Sequence, residues 1–291
     1  MIAEDWIRSK SAQERNIMIK RAHTARMIVT CAYFIMGTAC ILIIVPSAFG
    51  ISIRFTSNIT DQGRLMPLQS YYIYDVTKSP QYELTFISQA IYSAIGIMSY
   101  TGIDNFLGLL IFHICGQLDI LKNRLIRFDK YIDSDMLKNC VTEHVRLIRA
   151  IAVIEDTYNI TLLVLFVYFS ILFAFLSFCI INLVSDGNKV SLIYLICLMS
   201  IIFNLFGHMC LYCALGEFLM AQCNEIYYAA YNNQWYSMNL KIVQDLLLFM
   251  TRGSKPIYLT AGKMFPLTMA TFCSLVKTSG GYISILLTTR M

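Results

Sequence analysis

Five stretches of this chain run for about twenty residues or more with almost no charge, and that property decides how the chain can fold. In hydrocarbon every backbone N–H and C=O must be satisfied internally, so only helices and closed barrels cross a bilayer. No residue from Met27 to Ile53 is charged, and CAYFIMGTACILIIVPSAFG inside that run reads as a first span. The second starts near Leu84 and is interrupted by a single acid, Asp104, before NFLGLLIFHIC completes it. Thr157–Ser185 and Val190–Gly216 are uncharged, and the SDGNK between them reads as a tight turn. The fifth run, Met264–Thr289, carries Lys277 and Gly280-Gly281. The predicted spans are therefore 27–49, 84–115, 159–184, 190–215 and 264–289, and the expected fold is an all-α transmembrane domain.

Composition agrees. Of 291 residues, 57% are hydrophobic and only 14% charged, against roughly 25% charged in soluble domains. An aromatic share of 13% with five prolines excludes disordered and low-complexity chains, and a soluble enzyme is not expected. The ten cysteines fall inside apolar runs or basic loops, so no disulfide framework follows from them.

The net charge of +5 is sorted by segment, which argues for orientation rather than for nucleic-acid binding. Residues 1–26, 116–159 and 217–263 hold six, seven and four Lys or Arg, and the alternate segments hold three, one and one. That imbalance predicts the N-terminus in the cytosol and the C-terminus outside. The first 26 residues are basic and lack the short apolar core of a signal peptide. Asn58-Ile59-Thr60 is a glycosylation sequon in the first outer loop, whereas Asn159-Ile160-Thr161 lies at the cytosolic end of a span and is predicted to stay unmodified.

The cytosolic segments read as helices. Leu118, Leu121, Leu125, Phe128 and Ile132 recur at helical spacing with Lys122, Arg124 and Arg127 between them, Val141–Ile154 repeats the pattern, and NLKIVQDLLLFM at 239–250 is a third stretch. Segments 116–158 and 217–263 are expected either to pack on each other as solvated helices or to anchor one subunit to another, because Leu246, Leu247, Leu248 and Phe249 together need a covering surface.

Chemistry-bearing constellations are few. Asp104 and Lys277 both fall inside spans, where ionisable groups are costly, so they are expected either to face the protein interior, paired with each other or with a neighbouring polar group, or to snorkel or make a purely structural polar contact. His113, His208 and the Cys210-Leu-Tyr-Cys213 pair do not make a four-ligand set, so no metal or other cofactor is expected. The chain holds no GxSxG, HExxH or phosphate-binding glycine loop, which counts against an enzyme. Phe49, Tyr71, Tyr72, Tyr74, Tyr82, Phe86, Tyr92 and Tyr194 crowd the outer ends of the spans. They read as an interfacial aromatic belt, or as the wall of an apolar cavity for a small volatile molecule, with Tyr92 and Ser93 orienting it.

The C-terminal third resembles the insect odorant receptor family. The residues that carry the likeness are Tyr231-Asn-Asn-Gln-Trp235-Tyr236 and LLLFMTRGSKPIYLTAGKMFPLTMATFCSLVKTSGGYISILL, supported by Asp5-Trp6, Arg26 and HICGQLDILKNRL. The resemblance implies an N-in, C-out helical subunit of a heteromeric cation channel. Such a channel pairs with the odorant co-receptor, is of tetrameric size, sits in the plasma membrane of sensory neurons and is opened by an odorant. The family has seven spans and these five resemble its last five, so a truncation relative to the family is expected. The resemblance assigns an odorant pocket to Ile44, Ala48, Phe86, Tyr92, Gly96 and Tyr194, and a pore lining and gate to Tyr282, Ile285, Thr288 and Thr289. It places the subunit anchor at Leu246–Phe249. Alternatives are a gustatory-type channel subunit, a non-functional receptor fragment, and a secondary transporter, which would call for internal repeats that the spans do not show.

Overall fold

The computed structural model describes residues 2–7, 11–50, 65–68, 70–127, 134–185 and 192–290. Among them the chain forms α1 (Ile2–Ile7), α2 (Ala12–Ala48), α3 (Gln81–Ile126), α4 (Ser134–Ser185), α5 (Leu192–Tyr231) and α6 (Leu240–Gly253). A two-stranded antiparallel hairpin, β1 (Thr260–Ala261) with β2 (Phe265–Pro266), then leads into α7 (Met269–Arg290). Local chemistry sets several of these boundaries. Ser11 and Glu14 form a reciprocal capping box at the start of α2, the Ser11 hydroxyl accepting from Glu14 N–H at 3.3 Å and Glu14 Oε2 from Ser11 N–H at 3.2 Å. The Asn239 side chain caps α6 by accepting from Lys241 N–H.

Four helices are long and apolar enough to cross a membrane among the described residues: Ala12–Ala48, Gln81–Ile126, Asp135–Ile180 and Leu198–Tyr231. At about 1.5 Å per residue α3 and α4 reach roughly 70 and 80 Å, well beyond a hydrocarbon core of ~30 Å. The expected amphipathic continuations are thus unbroken parts of these long helices: Leu118, Leu121 and Leu125 are buried on α3, while Phe128 and Ile132 lie outside the described residues. The turn at Asp186–Lys189 also lies outside them. One boundary is corrected. The fifth apolar run is helical from Met269, not from Met264, because Gly262 and Lys263 take positive φ (62° and 57°) and turn the chain into the hairpin that holds Phe265 and Pro266.

The described chain falls into two compact units. The first joins residues 1–26, 107–170 and 209–278. Its core is aliphatic, with Ile111, Ile114, Leu118, Leu121, Leu147, Ile151 and Leu219 fully buried, and Phe112 packs on Phe218 with ring centres 5.5 Å apart. Ion pairs lace the helices together: Arg21 to Asp119, Arg124 to Glu14 at 2.7 Å and Lys122 to Glu225 at 2.7 Å. The hairpin is seated on α4 by Gly262 N–H donating to Asn159 C=O at 2.8 Å and by Thr260 Oγ1 donating to Glu155 at 2.7 Å.

His144, which precedes the predicted span 159–184, is buried on α4 with its ring 4.7 Å from that of Phe249 on α6. Burial, helped by the charge of Arg252, pushes its imidazole down to about 4. The folded chain therefore holds His144 neutral where the unfolded chain takes up a proton. Its contribution is complete above the unfolded value of about 6.5 and is lost as pH falls from there to about 4. Thermal unfolding followed from pH 7 to pH 4 should show a loss on the order of 3 kcal/mol that His144→Leu does not show. Equal pH slopes for the two proteins would dismiss His144 as the source.

The second unit joins residues 27–106, 171–208 and 279–291. Its α3 segment is polar inside and apolar outside. Leu84, Ile87, Ile91, Ile95 and Met98 form an exposed stripe at helical spacing, while Thr85, Gln89, Thr101, Asp104 and Asn105 are buried. That arrangement would be unstable in water and is natural in lipid, where the apolar face meets hydrocarbon and polar groups turn inward. Residues 65–80 are pinned to the start of α3. The Gln89 side chain accepts from Leu68 N–H at 2.9 Å and donates to Leu68 C=O at 2.9 Å and to the Tyr72 hydroxyl at 2.8 Å. Tyr82 donates to Leu65 C=O, and the Tyr74 and Thr85 hydroxyls are bonded to each other.

Candidate functional site

The pocket positions assigned by resemblance lie on α2, α3 and α5. Ile44 and Phe86 are half-buried, and the Phe86 ring lies 6.1 Å from that of Tyr82. Ala48 and Gly96 are exposed, and Tyr92 is 72% exposed beside the apolar stripe of α3. Tyr194 belongs to α5, but its side chain is outside the described residues. These positions thus lie on three helices, with Ile44 and Phe86 half-buried and Ala48, Gly96 and Tyr92 on the outer surface of the described chain. Tyr72, Tyr74 and Tyr82 serve as hydrogen-bonded pins of the 65–80 segment.

A cavity of about 260 Å³ lies elsewhere, between the start of α2 and the end of α3, lined by Glu14, Asn16, Asn123, Arg124 and Arg127 among others. Arg124 on its wall is already paired with Glu14 at 2.7 Å.

The two intramembrane charges fare differently. Asp104 is buried on α3 with Oδ2 4.0 Å from His208 Nε2 on α5, and the Tyr100 ring lies 5.6 Å from the His208 ring. Lys277 is exposed on α7 in the described chain, not buried as Asp104 is. Of the anchor residues, Leu246 and Phe249 are buried under α6, whereas Leu247 and Leu248 are exposed, Leu248 at 71%. Tyr282, Ile285, Thr288 and Thr289 belong to α7 with side chains outside the described residues, and Asn58 also lies outside them. Among the described residues no three metal-capable side chains come together. Asn159, the second sequon, is buried with its amide nitrogen donating to Glu155 C=O at 3.0 Å and Asp156 C=O at 2.9 Å, so it is not presented for modification.

Sequence reasoning missed one cluster. Asp5, 1% exposed on α1, accepts from His113 Nε2 of α3 at 2.9 Å and from Arg146 Nη1 of α4 at 2.8 Å, and Arg146 is also bonded to Glu143. Burial pushes the Asp5 carboxyl up, but the hydrogen bonds and charges of His113 and Arg146 outweigh it and hold the group below the usual carboxylate value. No local pattern links positions 5, 113 and 146.

Long helices, a lipid-suited exposed stripe and buried intramembrane polar groups define an α-helical, multi-pass membrane protein. The chain belongs to the 7tm Odorant receptor family, whose profile matches residues 2–280. It is 24% identical over 221 residues to Odorant receptor 10 of Aedes albopictus, covering 73% of this chain and 57% of that protein. It is also 24% identical over 306 residues to Odorant receptor 13a of Drosophila melanogaster, covering 97% and 70%. Among solved structures, the olfactory receptor OR5 of Machilis hrabei in complex with eugenol matches 94% of this chain and 70% of its own with a TM-score of 0.71 at 18% identity. At that identity the likeness establishes the fold. The chain spans 57% of the Aedes albopictus receptor and 61% of Odorant receptor 33b of Drosophila melanogaster. The family is one of receptors, not enzymes.

Proposed function

We propose that this chain is the odorant-binding subunit of a ligand-gated cation channel that works with the odorant co-receptor in a hetero-oligomer of tetrameric size, in the plasma membrane of sensory neurons. The observation that carries the reading is the shared fold with a receptor solved in complex with eugenol, joined to a family match over nearly the whole chain. The charge imbalance of the sequence supports five spans with the N-terminus in the cytosol, the C-terminus outside and Asn58 glycosylated in an outer loop. A small volatile odorant occupies a pocket at Ile44, Ala48, Phe86, Tyr92, Gly96 and Tyr194. The last turns of α7, with Tyr282, Ile285, Thr288 and Thr289, line a pore that closes by dewetting at Ile285. On α6, Leu246 and Phe249 fix the helix from beneath, and the exposed Leu247 and Leu248 are the surface offered to another subunit. Odorant opens the channel by binding the open state more tightly than the closed one.

The test is whole-cell current from cells expressing the chain with and without the co-receptor, challenged with a panel of volatile odorants. Asn58 glycosylation is scored by the mobility shift on glycosidase treatment. The expected result is an odorant-evoked cation current that needs both proteins. A glycosylated chain that reaches the surface beside the co-receptor yet yields no current above the co-receptor's own would overturn the reading.

A further inference from the structure

The contact between α3 and α5 in the second unit contains polar atoms that nothing in the proposed function uses. Thr101, Asp104 and Asn105 occupy positions i, i+3 and i+4 of α3 and so share one face, and Asp104 on that face stands 4.0 Å from His208 on α5. Thr101 is 1% exposed and Asn105 8%. Thr101 Oγ1, Asn105 Nδ2 and His208 Nε2 are buried with no hydrogen-bond partner among the described residues. A buried polar atom left without a partner costs about 1–3 kcal/mol, and native proteins relieve such groups with an ordered water or ion.

Two carboxylate–imidazole pairs in the same chain sharpen the point. Asp5 and His113 meet directly at 2.9 Å. Asp104 and His208 stand 4.0 Å apart, too far for a hydrogen bond and close to the span of one bridging molecule. The buried groups on that face of α3 include donors as well as acceptors: the Asn105 amide nitrogen and the Thr101 hydroxyl can donate, and the Asp104 carboxylate and again the Thr101 hydroxyl can accept. A bare cation is repelled by an amide N–H, whereas water offers two donors and two acceptors and matches the mixture.

We propose that Thr101, Asp104, Asn105 and His208 form a binding site for a single internal water that bridges α3 to α5. The two helices are then joined at this level through a molecule that can leave, unlike the direct bonds of the Asp5 cluster. Loss of the water would let Asp104 and His208 close into a direct pair, a second discrete arrangement of the same contact.

The sign of one conservative substitution tests the site. Thr101→Val keeps shape and removes only the hydroxyl. If a water is bound, the substitution deprives it of a partner, and the thermal unfolding midpoint of the chain in lipid nanodiscs should fall by about 2 °C or more. If the hydroxyl sits in a dry contact, its removal relieves a buried unpaired group and the midpoint should rise, which overturns the proposal. A double-mutant cycle with His208→Phe adds a second readout: Thr101 and His208 are not bonded to each other, so effects that fail to add report a shared guest, and strictly additive effects count against one. Measuring wild type in sodium chloride and in choline chloride at equal ionic strength separates water from a small cation. A midpoint raised by sodium alone would replace the water with an ion and overturn the assignment.

Discussion

Asp5→Ala is expected to lower the thermal midpoint of the chain by roughly 5–10 °C and to release α1 from the rest of its unit. The carboxylate joins α1 to α3 through His113 and to α4 through Arg146, at 2.9 and 2.8 Å. Deleting one partner of a buried ion pair costs about 3–5 kcal/mol because the other charge stays behind. Arg146 keeps a quarter of its side chain exposed and retains Glu143 at 2.8 Å, so the lower end of that range applies. Trp6, the next residue, gives a local readout: its fluorescence should become more open to quenching by acrylamide in the variant. The acid dependence has a fixed sign. The Asp5 carboxyl lies below its ordinary value of 3.8 in the folded chain, so its contribution is full above that value and is lost as pH falls through the lower folded one. Wild type and Asp5→Ala should therefore differ by the same amount from pH 7 to about pH 4 and converge only below it. An unchanged midpoint with unchanged Trp6 quenching would show that α1 is held by something other than this pair.

The second large effect is expected at Gly216, in the middle of α5. Alanine is ordinarily the better helix former by about 1 kcal/mol. Here a Cβ would strike the backbone carbonyl oxygen of Leu267 and stand 2.8 Å from the Leu267 Cβ. Leu267 has little freedom to yield, because it is buried and its N–H donates to Leu259 C=O at 2.8 Å, closing the hairpin that precedes α7. Overpacking of this kind typically costs 1–3 kcal/mol and occasionally more. Gly216→Ala should accordingly reduce the yield of monodisperse protein and lower the midpoint by several degrees, roughly 2–4 °C for each kcal/mol. Gly207 on the same helix is the control: a Cβ there meets nothing within 4 Å, so Gly207→Ala should hold or raise the midpoint. If both substitutions stabilise, α5 and the hairpin do not approach as closely as the geometry requires.

These two sites also mark where sequence stopped being informative. Apolar runs announce membrane helices because the lipid requirement is written into every residue of the run, so four of the five expected spans coincide with long apolar helices. The Leu118, Leu121 and Leu125 stripe was legible for the same reason, as periodicity is local. The capping box at Ser11 and Glu14 starts α2 well ahead of the first apolar run, a boundary that hydropathy does not mark. The hairpin before α7 was not legible either: two-residue strands carry no alternation, and hydropathy does not distinguish Met264-Phe265 in a strand from the same pair in a helix. Asp5, His113 and Arg146 are brought together by tertiary packing alone. On α3 only Asp104 marked an inward side in the sequence; the burial of Thr101 and Asn105 on the same face and the approach of His208 to Asp104 come from packing against other helices.

The Gln89 amide meets both the N–H and the C=O of Leu68, which is how a neighbouring strand would meet it. One side chain thus imitates a peptide group and gives an irregular segment the pairing that a sheet would otherwise provide. At Leu68 this attachment depends on a single helical position rather than on matched strands: Gln89 stands just over two turns into α3, one turn beyond Thr85, and engages only the Leu68 backbone. At that residue the anchorage is thereby supplied by the helix beneath and asks nothing of the leucine side chain.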